Sequence, residues 1–216
     1  MRKKTAGLAA VFLLSAVWTA GCANSAGKNW DASENSIYVK KNLSVESAMV
    51  YTSEKENDLY SEEGLAEFAK EQISAFNEEQ GALPQAENKG GSEKLPVALE
   101  KCSLKGQTGT LVFSYAAPED FVKFSEETRD DTHTVTSLKV SEVEEAGLPD
   151  LSYQTITGKQ VDPATAASTK GSHMVITEGS AKVYMEGKIL YVSDGVELKS
   201  SYSAVTPEGT SCIIFK

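Results

Sequence analysis

Cysteine, histidine and tryptophan are scarce in this chain of 216 residues, at three, two and two copies. Three cysteines are too few for a small scaffold stapled by disulfides. The histidines, His133 and His173, lie far apart in sequence, and no H-E-x-x-H or C-x-x-C spacing accompanies them. The chain therefore gives no reason to expect zinc. The D-x-[DN]-x-[DN]-G calcium loop is absent, as are G-x-x-x-x-G-K-[ST] and G-x-G-x-x-G phosphate loops. No G-x-S-x-G elbow occurs, and S-x-x-K lacks its partner motifs. No metal, cofactor or catalytic residue is expected. Positive charge is also short, with 21 Lys and Arg against 31 Asp and Glu and a net charge of −10. Such a surface repels phosphates, so nucleic acid is excluded as a partner. Long apolar runs are missing too, which excludes a polytopic membrane protein.

What basic charge there is clusters at the start. Arg2, Lys3 and Lys4 precede a short apolar stretch, Ala6 to Val17, too short for a comfortable bilayer span. Charge followed by a short apolar run marks a secretory signal. The stretch ends in Thr19-Ala20-Gly21-Cys22, which resembles the lipobox of bacterial lipoproteins, although that family usually has an aliphatic residue where Thr19 stands. The resemblance implies cleavage before Cys22 and a diacylglyceryl group on its thiol, so Cys22 is expected to be a membrane tether and not a nucleophile. One acyl chain anchors only reversibly, at about 0.8 kcal/mol per buried CH₂, whereas two or more hold stably. Losing residues 1–21 removes three positive charges and leaves 18 basic against 31 acidic residues, a net −13. Residues 22–35 are rich in Ala, Ser, Asn and Gly and read as a lipidated flexible linker spanning roughly 20 Å. Trp30 within it packs on the domain or touches the membrane interface, with packing the default.

Residues 36–216 read as one extracytoplasmic α+β domain, with a possible sub-boundary near 150–172. Ile37–Val39 and Val45–Tyr51 have strand composition. Leu65, Phe68, Ala69, Ile73 and Phe76 recur at three- and four-residue spacing, which predicts one long amphipathic helix capped by Ser61 and stopped by Gly81 and Pro84. Val97–Leu104 and Thr110–Ala116 predict a hairpin in which Leu111, Phe113 and Tyr115 share the buried face. Pro118, Phe121 and Phe124 open a short helix. Val135–Val140 reads as a strand, and Ser141-Glu142-Val143-Glu144 as the capping box of a second short helix. Leu151–Ser172 is legible only as loop or edge strand. The C-terminal part is β-rich, with strands over Met174–Thr177, Lys182–Met185, Lys188–Val192 and Ser211–Phe215. Strands grouped with strands favour antiparallel sheets over a doubly wound fold.

Several stretches are similar to uncharacterised lipobox-bearing envelope lipoproteins of Gram-positive type. They are Ser36-Ile37-Tyr38-Val39-Lys40, Leu59-Tyr60, Phe113-Ser114-Tyr115 with Asp120-Phe121, and Gly187-Lys188-Ile189-Leu190-Tyr191-Val192-Ser193. The resemblance implies an extracytoplasmic α+β domain and no particular activity.

Setting Cys22 aside leaves Cys102 and Cys212, both on predicted strands. An exported chain permits a disulfide between them, worth about 4–5 kcal/mol for so long a loop; the alternative is two separate buried thiols. Asp130-Asp131-Thr132-His133 is the nearest thing to a ligand cluster and reads as a solvated loop. Gly171-Ser172-His173 is poor triad geometry, because adjacent strand residues point to opposite faces. The pairs Glu62-Glu63, Glu78-Glu79, Glu126-Glu127 and Glu144-Glu145 are sequence neighbours at helix ends and do not face each other across a cleft, as a glycosidase requires. The expected function is a membrane-anchored, non-catalytic binding or interaction module for a protein or small ligand at the cell surface. An exported hydrolase with dispersed catalytic residues, or an accessory subunit of an envelope assembly, is the alternative.

Overall fold

The computed structural model describes residues 29–53, 61–88, 94–130 and 134–216. In chain order the elements are β1 (Ser36–Val39), β2 (Val45–Thr52), α1 (Glu62–Glu79), β3 (Val97–Lys105), β4 (Thr108–Tyr115), α2 (Pro118–Glu127), β5 (Ser137–Glu142) and α3 (Val143–Ala146). They continue with β6 (Tyr153–Thr155), β7 (Gln160–Val161), α4 (Pro163–Ala167), β8 (His173–Glu178), β9 (Lys182–Met185), β10 (Ile189–Ser193), β11 (Glu197–Ser200), β12 (Ser203–Val205) and β13 (Thr210–Phe215). The fold is α+β, with two mostly antiparallel sheets and few helices. One sheet runs β11-β12-β9-β1-β2-β4-β3, the other β5-β8-β13-β10-β6-β7. The pairing of β1 with β9 is the parallel one.

Alternation builds the core. Ile37 and Val39 on β1, Leu111, Phe113 and Tyr115 on β4, Val183 and Met185 on β9, and Ile213 and Phe215 on β13 join one cluster drawn from both sheets. Phe76 on α1 and Phe124 on α2 meet edge-to-face at 5.3 Å, and Phe113 meets Phe124 at 5.5 Å, closing this cluster under the helices. The opposite face of the second sheet buries Tyr153, Met174, Cys212 and Ile214 beneath α3 and α4. The opposite face of the first buries Tyr38, Ala48 and Val112 beneath Trp30 and Ala32. Both sheets are thus covered on both sides over part of their area.

The helices follow their local signals. The Ser61 hydroxyl accepts from the Gly64 N–H at 2.9 Å, and Gly81, at φ +77, ends α1. Asp120 accepts the Ala117 N–H at 3.1 Å behind Pro118 in α2. Inside α1, Asn77 locks the helix to the next strand. Its amide donates to the Gln85 and Val97 carbonyls at 2.7 and 2.8 Å and accepts the Val97 N–H at 3.0 Å.

Four expectations are corrected. Phe68 does not share the buried face of α1 and is 60% exposed. At about 100° per residue it lies some 140° around the helix from Ile73, outside the stripe the sheet covers. Ser141 does not cap α3; the β5–β8 ladder extends to Glu142 opposite His173 and keeps Ser141 in the strand opposite Met174. The linker reading stops short of residue 35, since Trp30 is 4% exposed and stacked on Tyr38. The segment 150–172 is not a boundary: β5 before it pairs with β8 after it, and β6 within it pairs with β10.

Candidate ligand pocket

One rung of the first sheet carries the chemistry. Tyr38, Glu46 and Ser114 are register partners across β1, β2 and β4. A bulge in β3 between Leu99 and Lys101 leaves Glu100 without a cross-strand partner, and its carboxylate accepts from the Ser114 hydroxyl at 2.6 Å. Bulges of this kind re-aim side chains next to sites. The turn between β1 and β2 brings Lys40 over Glu46, and the two form an ion pair. Asn42 shapes that turn by accepting from Ser44 N–H at 3.1 Å and from its hydroxyl at 2.6 Å.

Glu46, Glu100 and Ser114 of this rung and Lys40, Asn42 and Ser44 of the turn, with Asn88, Lys94 and Leu95, line a cavity of about 210 Å³. Glu46 is 2% exposed, and while Lys40 holds its Oε1, its Oε2 has no hydrogen-bond partner among the described residues. An unsatisfied buried acceptor costs about 1–3 kcal/mol, and more when charged. Burial pushes the Glu46 carboxyl above its ordinary range, Lys40 opposes that shift, and Glu100 and Glu186 add to it. Burial, helped by Glu186 and Glu46, pushes the Tyr38 hydroxyl up to about 12. The pocket therefore holds a buried carboxylate with spare acceptor capacity, a second carboxylate, two lysines and the apolar side chain of Leu95.

The residues singled out from sequence lie elsewhere. Cys22 and His133 fall outside the described residues, as do Asp131 and Thr132. Cys102 and Cys212 are both free thiols and sit in different sheets, so the pairing is not made. Cys102 lies 3.7 Å from the Glu62 carbonyl at the start of α1, whereas Cys212 packs with Tyr153 on the far side of the second sheet. Burial pushes the Cys212 thiol up to about 12. His173 stands 5.4 Å from the Phe215 ring, and its neighbour Ser172 donates to the Thr169 carbonyl at 2.7 Å, a turn contact. Ser193 accepts from the Cys212 N–H at 2.9 Å, which ties two strands together. Among the described residues, no three His, Cys, Asp or Glu side chains converge on a metal position, and no helix is long and apolar enough to cross a membrane.

Sequence reasoning missed Glu46, Glu100 and Lys40. Alternation in β2 makes Glu46 an outward, solvated residue, and its burial comes from other segments folding over that face. A bulge leaves no mark in composition, so Glu100 carried no signal.

No family model matches this chain, and no curated protein or solved structure matches it.

Proposed function

We propose that this chain is a lipid-anchored protein of the cell envelope whose domain is a non-catalytic binding module, with the cavity beside Glu46 as its ligand site. The observation that carries the binding role is Glu46 itself. A carboxylate is withdrawn from water with one oxygen unanswered among the described residues, in the wall of a cavity that other polar groups also line. Ligand sites commonly combine an apolar wall with a few convergent polar groups. The lipobox-like Thr19-Ala20-Gly21-Cys22 supports the anchor. Since the packed body begins by Trp30, the eight steps of chain from Cys22 would hold it within about 30 Å of the lipid.

The anchor and the binding role are tested separately. Replacing Cys22 (Cys22→Ala) is expected to move the protein from the membrane fraction to the soluble one; unchanged fractionation overturns the anchor. For the binding role, the purified protein is screened by thermal shift against small polar metabolites. Stabilisation that Glu100→Gln abolishes supports the module, and no stabilisation by any compound overturns it.

A further inference from the structure

The charges around the cavity restrict what can enter it. Glu46 and Glu100 line the cavity together with Lys40 and Lys94, and Lys40 is already committed to Glu46. Among the described residues Lys94 has no ion-pair partner. A simple cation would share the cavity with two lysines, and a simple anion with two carboxylates, which is costly where water is scarce. A molecule bearing both signs satisfies both sets at once. Its ammonium answers the carboxylates, the spare Glu46 oxygen among them, and its carboxylate answers Lys94.

Size narrows the class. A volume of about 210 Å³ lies below the usual span of drug-sized sites. Such a space suits a small metabolite and not a drug-sized molecule. Leu95 offers an apolar contact for a short side chain.

We propose that the pocket binds a free α-amino acid with a small side chain, such as alanine or serine. This rests on the binding-module reading and names its ligand class. The ammonium sits between Glu46 and Glu100, and the carboxylate points to Lys94. Ser114 holds Glu100 in place through its 2.6 Å hydrogen bond and acts as a positioning residue.

The test is isothermal titration of the purified protein at about pH 7 with L-alanine, ethylamine and propionate, the last two carrying one charged group each. L-alanine is expected to saturate one site, with each single-charge probe at least about tenfold weaker. Glu100→Gln is expected to weaken L-alanine at least about tenfold with an unchanged melting temperature, and Lys94→Ala to weaken it in the same direction. Ser114→Ala provides a second variant that removes no charge and should weaken binding less than Glu100→Gln. Ethylamine or propionate binding as tightly as L-alanine overturns the proposal. So does undiminished binding by Glu100→Gln, or no heat from L-alanine at about 20 mM. If amino acids fail but another compound stabilises the protein through Glu100, only the ligand class falls. If nothing binds, the module reading falls with it.

Discussion

Trp30 stacks on Tyr38 with ring centroids 4.8 Å apart and planes 17° from parallel, and its indole nitrogen donates to the Ser36 hydroxyl at 2.9 Å. The segment before the first strand thereby covers the outward face of the first sheet, the face that carries Glu46. Trp30→Ala is expected to destabilise the protein by about 3–5 kcal/mol, the usual range for losing a buried aromatic. Trp30→Phe should cost less, because one aromatic ring remains to stack on Tyr38, although part of the buried volume and the indole hydrogen bond go. Urea unfolding of both variants checks the order, and a Trp30→Ala protein as stable as the wild type would place Trp30 outside the core.

From a fully buried position in α1, Asn77 makes two hydrogen bonds to Val97, the first residue of β3, and a third to the Gln85 carbonyl. Asn77→Ala leaves the Val97 and Gln85 groups without these partners and should cost about 2–4 kcal/mol. Asn77→Asp keeps the acceptor but loses both donors and buries a charge, so its loss should be at least as large. Chemical denaturation of the pair provides the measurement.

Glu46 makes stability depend on pH in a defined direction. Its folded-state carboxyl is raised above the ordinary value of 4.5, so the native state holds this proton more tightly than the unfolded chain does. The contribution is fully present below 4.5 and is lost as pH rises through the folded value. Asp31 and Glu34 are shifted the opposite way, by hydrogen bonds from Ser33 and from Lys182 and Tyr184, and their contributions disappear as pH falls. The difference between wild type and Glu46→Gln isolates the one group. As pH rises above 4.5 that difference should move in favour of the glutamine variant until the folded-state carboxyl is ionised. A flat difference in unfolding free energy across this range would contradict a desolvated carboxylate.

The two thiols of the domain are predicted to differ in reactivity and not to be joined. In a Cys22→Ala background the native protein should react with a thiol reagent at half-buried Cys102 and not at Cys212, which is buried with its thiol pushed up to about 12. Unfolding without reductant should then expose both thiols. No thiol reacting in the unfolded, unreduced protein would mean that Cys102 and Cys212 are bridged.

Much of the scaffold was legible because local physics fixed it. Leu111, Phe113 and Tyr115 alternate and are buried together; Ser61 and Gly81 bracket α1 as side-chain capping and a positive-φ stop require. The short strands β11 and β12 were not legible. Glu-Leu-Lys-Ser on β11 is largely exposed, and what makes it a strand is pairing with β12, which in turn pairs with β9. Ser141 shows the same competition from the other side: its local motif favours a cap, and the ladder to Met174 overrides it.

The sequence by itself determined the charge balance, the lipobox-like start, the caps and the alternating strands, since each depends on residues within a few positions of one another. Tertiary structure alone decided that Glu46 is buried, that Glu100 turns toward Ser114, and that Cys102 and Cys212 lie in separate sheets. Those outcomes depend on which distant segment covers a face and where a bulge shifts the register. A strand's own alternation says which residues share a side, and only the packing of the whole chain says which side loses its water.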